Sequence, residues 1–232
     1  MSLARLKRLE TVEKKIQLWE PRGPIVPHKL YTIFPDEGPL RRELYPKHVE
    51  FFRAGQEEME RCFMAGNRVG KTEAGTYEMT CHLTGWYPSW WEGHRFPAPI
   101  QAWAAGDTHR TVRDILQEKF LGSPGQHGTG MIPGQLIRKI THKAGTAEAV
   151  DKIYVRHVTG GESRLTLKSY QEGRRSFQGT GVHVVWFDEE VPMDIYMEGL
   201  TRLLTTCGIM MLTFTPLNGL TEVVLRFLPA GL

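Results

Sequence analysis

An α/β fold, with a mainly parallel central sheet flanked by helices, is predicted from three features of the sequence. Short apolar, β-branched runs (Ile100–Gly106, Val182–Phe187, Ile209–Phe214) alternate with stretches of helical periodicity, the pattern of parallel strands joined by right-handed crossovers. Val182–Phe187 is apolar apart from His183, as a central strand buried on both faces requires. Arg61-Cys62-Phe63 runs into a glycine-bearing turn and then into Glu73–Leu83, which reads as a helix, so strand, turn and helix follow one another directly.

The other elements follow in chain order. Leu3, Leu6, Leu9, Val12, Ile16 and Trp19 recur at three- and four-residue steps and predict an amphipathic helix, a small N-terminal helical extension. Pro21, Pro24, Pro27 and Pro35 make an extended linker. The expected division is therefore 1–44, helix and proline-rich linker, and 45–232, the main domain. Pro46 opens a helix over Lys47–Met59. The aromatic stretch from Leu83 to Gly93 is expected to pin a loop to the surface rather than to stack on bases. Thr108–Leu121 reads as a helix capped by Asp107, and glycine-rich 122–134 as a mobile surface loop. Ile153–Val158 and Arg164–Ser169 flank a short turn as paired strands, and Met193–Leu204 is a helix.

Composition narrows the options. With 232 residues, 41% of them hydrophobic, the chain can bury one large core, or one core plus a small lobe. A net charge of +3 neither demands nor excludes a nucleic-acid partner. Cys62, Cys81 and Cys207 lie far apart and are expected to be reduced, buried thiols. No run is long enough to span a membrane, and the first twenty residues are too charged for a signal peptide.

Three motifs carry chemistry. Gly66-Asn67-Arg68-Val69-Gly70-Lys71-Thr72 is a phosphate-binding P-loop, with Ala65 where the pattern has its first glycine. Alanine excludes positive φ, so the loop must enter with ordinary backbone geometry. Backbone N–H groups of Gly66–Thr72 would cradle the phosphates of ATP, Lys71 would reach the β- and γ-phosphates, and the Thr72 hydroxyl would ligate Mg²⁺. The apolar strand ending in Asp188-Glu189-Glu190 would place Asp188 at the metal and Glu189 as general base for the attacking water. These acids could instead cap the helix that follows. A glutamate directly after the metal acid favours hydrolysis, an ASCE-type P-loop NTPase working on a polymer. Leu212-Thr213-Phe214-Thr215-Pro216 ends the next strand with two hydroxyls; Thr215 is the first candidate for a γ-phosphate sensor and Thr213 the second. Arg174 and Arg175, flanked by Gly173 and Gly179, suit anion contact, with DNA phosphate or with the γ-phosphate of a neighbouring subunit.

With these motifs in this order, the chain resembles the ATPase domain of the large terminase subunit, the DNA-packaging motor of tailed bacteriophages. The resemblance runs from about Tyr45 to Pro216 and includes Lys168-Ser169-Tyr170 through Phe177-Gln178-Gly179. It implies Asp188 as the metal-site acid, Glu189 as catalytic base and Thr213–Pro216 as the coupling segment. It also implies a catalytic arginine in the P-loop, for which Arg68 is the candidate, with Arg174 or Arg175 as alternatives acting in trans. The family's adenine-contacting segment lies upstream of the P-loop, where this chain has Tyr45, Pro46, Lys47 and Gln56. Implied partners are double-stranded DNA, the portal protein, the small terminase subunit and further copies forming a ring on the procapsid, in the host cytoplasm. No later acidic cluster is present for a nuclease, so a motor domain alone is expected. The rival readings are a helicase-like or repair ATPase and a non-hydrolysing, ATP-dependent assembly module.

Overall fold

The computed structural model describes residues 28–146 and 148–228; the expected helix Leu3–Trp19 lies outside the described residues. Seven strands form one sheet in the order β1-β7-β6-β2-β5-β4-β3. They are β1 (Glu60–Met64), β2 (Gln101–Gly106), β3 (Ile137–His142), β4 (Val150–Arg156), β5 (Glu162–Ser169), β6 (Val184–Asp188) and β7 (Ile209–Phe214). The five from β1 through β7, β6 and β2 to β5 are parallel, and β4 and β3 add antiparallel at one end. Every residue of β6 and β7 is buried, which is why these strands read as near-continuous apolar runs.

Two cores lie on opposite faces of the sheet. The first is built on α3 (Lys71–Thr84), the helix that leaves the P-loop, after α1 (Lys29–Thr32) and α2 (Pro46–Ala54). Every residue of α3 from Ala74 to Thr84 is buried, so its polar side chains must find internal partners. Thr76, Thr80 and Thr84 do so by donating to the carbonyls four residues back, at 2.7–2.8 Å. Glu78 pairs with Arg61 of β1 and meets His82 Nε2 at 3.2 Å. This buried ion pair joins the strand that enters the P-loop to the helix that leaves it. Residues 28–44, expected as an extended linker, instead carry α1 and place Leu30 and Phe34 in this core.

The second core is built on α6 (Met193–Leu203) and α7 (Glu222–Arg226), which pack over the β1–β7–β6–β2 part of the sheet.

Four expectations need correction. The helix after β2 runs as α4 (His109–Thr111), a π-helical segment (Val112–Gln117) and α5 (Glu118–Leu121), and its cap is Thr108, which shares a capping box with Thr111, not Asp107. The glycine-rich stretch 122–134 is not simply a surface loop: Met131 and Ile132 are fully buried, and their N–H groups bond Lys119 O and Phe120 O. α2 stops at Ala54, before Gly55, five residues short of Met59. Cys207 is exposed rather than buried. The aromatic stretch does pin a loop, with Tyr87 and Trp91 buried and Trp91 stacked on Phe52. Among the described residues no helix is long and apolar enough to cross a membrane.

Candidate nucleotide site

The strand order decides what can meet. β7 lies between β1, which ends at the P-loop, and β6, which ends at Asp188, and all three are parallel. Their carboxyl ends therefore open onto one edge, where ligands of such sheets are bound. The loop enters with Ala65 outside the positive-φ region and turns at Gly70, φ +86. Gly70 is also the N-cap of α3 and supplies no side-chain bond to the first turn. The N–H groups of that turn are thus left for an anion.

Lys71 crosses back over this loop. Its Nζ donates to Gly66 O at 2.7 Å and Ala65 O at 3.0 Å, and reaches Thr215 Oγ1 at 2.9 Å. Thr215 Oγ1 also lies 2.9 Å from Ala65 O and 2.8 Å from Asn67 Oδ1. The strand-end threonine is therefore in contact with the loop lysine, 144 residues away in sequence. Thr72 Oγ1 lies 3.1 and 3.2 Å from the two carboxylate oxygens of Asp188. Thr213 Oγ1 donates to Asp188 Oδ1 at 2.7 Å and accepts the indole N–H of Trp186 at 2.8 Å.

Burial, with Glu189 nearby, pushes the Asp188 carboxyl up to about 7. Glu189 is also raised, first by burial, with Asp107 adding to the shift and Lys71 opposing it. Glu189 holds φ +67 and Arg68 φ +62, a conformation costly for side chains with a Cβ. The surroundings fix Glu189 there: its N–H donates to Thr213 O at 2.9 Å, and the Tyr170 hydroxyl lies 2.9 Å from Asp188 O and 3.1 Å from Glu189 O. The three acids do not cap α6, whose N-cap is Pro192 with no side-chain bond.

Thr72 and Asp188 fit a small, hard divalent cation. Their oxygens stand 3.1 Å apart, close to the edge of an octahedron with ligands at about 2.1 Å, roughly 3 Å. Among the described residues no group of three or more His, Cys, Asp or Glu could hold a metal. Such an ion would need phosphate oxygens to complete its shell, the usual situation of Mg²⁺ on a nucleotide.

Beside the loop lies a cavity of about 560 Å³ lined by Phe34, Tyr45, His48, Arg68, Val69 and Gly70 among others. Tyr45 lines it, whereas Gln56 lines a separate cleft with Trp91–Arg95. Arg68 faces this cavity. Arg174 is tied to buried Glu198 of α6 at 3.0 Å, and Arg175 is exposed on the same 3-10 turn.

A family profile described as terminase large subunit, T4-like virus type, N-terminal, matches residues 62–230. This chain belongs to the large terminase subunit family. A curated relative, the large terminase subunit of Salmonella phage P22, is 38% identical over 221 residues, which is 87% of this chain and 42% of that protein. The terminase chain described here therefore spans less than half the length of that relative. Among solved structures, a point mutant of the large terminase ATPase domain of Thermus phage P74-26 superposes with a TM-score of 0.51 at 16% identity, covering 72% of this chain and 63% of that one. That likeness shows the fold, a mostly parallel sheet flanked by helices. The large terminase of a thermophilic bacteriophage in complex with ADP gives a TM-score of 0.42 at 15% identity, covering 73% of this chain and 37% of that one.

Sequence reasoning missed Tyr170 as the clamp on Asp188 and Glu189, Trp186 as the donor that orients Thr213, and Phe34 and His48 as cavity walls. Trp186 carried a usable signal: an indole N–H inside a buried strand must find an acceptor.

Proposed function

We propose that this chain is the ATP-hydrolysing motor domain of a terminase and drives double-stranded DNA into a procapsid. The observation that carries the reading is the direct contact between Thr72 and Asp188, 116 positions apart, with Lys71 and Thr215 joined beside them. The working unit is 45–232, with residues 28–44 forming a wall of the base cavity. ATP lays its phosphates along Gly66–Thr72, with its base against Phe34, Tyr45 and His48.

Thr72 and Asp188 would hold Mg²⁺, which would supply positive charge against that developing on the phosphoryl oxygens. Lys71 supplies a further positive charge, and its present partners are two carbonyls and Thr215, so phosphate oxygens compete directly with Thr215 for the ammonium. Thr215 thereby registers whether the γ-phosphate is present, and Pro216 and α7 carry that state onward. Glu189 accepts a proton from the attacking water; its raised pKa brings it nearer the working pH, where a general base is most effective. Thr213, held by Trp186, keeps Asp188 turned toward Thr72.

Arg68 is assigned to the nucleotide of its own subunit. Arg175, exposed beside the anchored Arg174, is the candidate for reaching the site of a neighbouring copy. Such a ring would sit on the portal protein, with the small terminase subunit delivering DNA.

Single-turnover hydrolysis tests the reading. Wild-type protein should release phosphate from MgATP, and Glu189→Gln should slow the chemical step about 100-fold while binding ATP as before. Tight ATP binding without phosphate release by the wild type, even with portal and duplex DNA added, would assign the chain to a non-hydrolysing assembly role.

A further inference from the structure

Among the described residues, the face of the sheet that carries α6 and α7 is only partly covered. Its core takes residues from β1, β2, β6 and β7 and none from β3, β4 or β5. Strand register shows what stands on the uncovered part. Trp103 and Ala105 of β2 belong to this core, and they pair with Thr166 and Lys168 of β5. Arg164 of β5 pairs with Tyr154 of β4, Thr166 with Lys152, and Glu162 with Arg156. Tyr154 in turn pairs with Lys139 of β3. Directly paired residues share a face, so Lys139, Lys152, Arg156, Arg164 and Lys168 stand together with Tyr154 on one side of a three-stranded antiparallel corner.

Five cations therefore face the same way, against Glu162 as the strands' one acid of that parity. Asp151, of the opposite parity, bends round to Lys152 at 2.7 Å. The chain's net charge is only +3, so the positive excess is concentrated here. Lys139 and Arg156 are exposed and Lys152 and Arg164 half-buried. Lys139 Nζ stands 5.8 Å from the centre of the Tyr154 ring. Lys168 is at the inner margin, packed over Trp103 and Phe177.

We infer that this uncovered β3–β4–β5 face is where duplex DNA lies against the motor domain, its phosphate backbone crossing the strands. The inference rests on the translocation reading and names the surface that reading leaves open. Charge complementarity selects the partner. Lys152 and Arg156 are about 14 Å apart along β4 at 3.4 Å per residue, and a duplex presents one charge per roughly 1.7 Å of axis over that span. Lysines on a smooth face, with a tyrosine hydroxyl beside them, make backbone contacts that hold register without reading sequence. A motor that must pass any sequence needs contacts of that kind. Lys168 links the face to the nucleotide site, since it lies two residues before Tyr170, which clamps Asp188 and Glu189.

The test uses the full chain and a fluorescent 30-base-pair duplex, followed by anisotropy over a range of salt. Lys139→Ala/Lys152→Ala/Arg156→Ala should weaken binding at least tenfold at low salt. It should also reduce the slope of log K against log salt by about 2 to 3, near 0.9 per phosphate contact removed. Arg53→Ala, on α2 and exposed, should change neither, and MgATP affinity should be unaltered in both variants. Wild-type affinity and slope in the triple variant overturn the inference. So do an equal loss in the α2 variant, a wild type that ignores duplex DNA, or equal competition by single strands. Loss of MgATP binding or hydrolysis with the salt-dependent face intact would sink the motor reading and leave the surface standing.

Discussion

Asp188→Asn is expected to reduce ATP turnover by about 10³-fold and to make the metal-free protein more stable above neutral pH. The first effect follows from losing the carboxylate beside Thr72. The second follows from what that carboxylate costs the fold. Asp188 is only 5% exposed, and its carboxyl is raised from 3.8 to about 7, with burial the largest cause. The folded state therefore holds a proton that the unfolded chain has released between those two values. Stability falls as pH rises through that window, and the full penalty applies above about 7. Asparagine carries no charge, yet its amide oxygen can still accept from Thr213 and its NH₂ can donate to Thr72. The variant should gain roughly 2–4 kcal/mol at pH 8 and nothing at pH 4. Denaturant unfolding of both proteins at the two pH values measures it. Equal stability at pH 8, or a gain that persists at pH 4, would contradict the account of Asp188.

Gly75→Ala is expected to destabilise the protein by about 3 kcal/mol, although helix propensity alone favours alanine by nearly 1 kcal/mol. Gly75 lies within α3, and a Cβ there would come 2.3 Å from Cε2 and 2.4 Å from Cζ2 of Trp186. Trp186 is fully buried and cannot give way easily: Phe120 packs edge-on to its ring, and its N–H is committed to Thr213. A close-packed interior converts such an overlap into displaced backbone. Moving Trp186 also releases Thr213 from its orientation toward Asp188, so turnover should fall together with stability. Trp186→Phe removes the crowding atoms, and Gly75→Ala should cost much less in that background. Unfolding of the double-mutant cycle measures the coupling. A Gly75→Ala variant more stable than wild type would show that propensity, not the Trp186 contact, governs the position.

The parts of the site that were legible beforehand are those whose chemistry is local. Gly70-Lys71-Thr72 needs only a strand before it and a helix after it, and Asp188 needs only an apolar strand to carry it. Thr215 was legible because a hydroxyl ends a strand that belongs beside the P-loop. Tyr170 was not, since nothing in Lys168-Ser169-Tyr170 says that its hydroxyl reaches across to Asp188 O and Glu189 O. The strain at Glu189 depends on the same tertiary contacts. β3 escaped notice because its pairing with β4 shifts register between Ile137 and Lys139, which breaks the alternation that marks a strand. The glycines of 122–134 suggested mobility, but Met131 and Ile132 anchor that stretch in the core. Local composition does not reveal which apolar residues of a loop find a pocket.

The central claim is that one triphosphate is gripped by the P-loop and by the acid-bearing end of β6 together. A crystal structure with a non-hydrolysable ATP analogue and Mg²⁺ tests it most directly. The account predicts β- and γ-phosphates on the N–H groups of Gly66–Thr72, Lys71 moved from Thr215 onto phosphate oxygen, and the cation between Thr72 and Asp188. The base should lie against Phe34, Tyr45 and His48. A nucleotide bound elsewhere, or phosphates on the loop with the cation remote from Asp188, would contradict it.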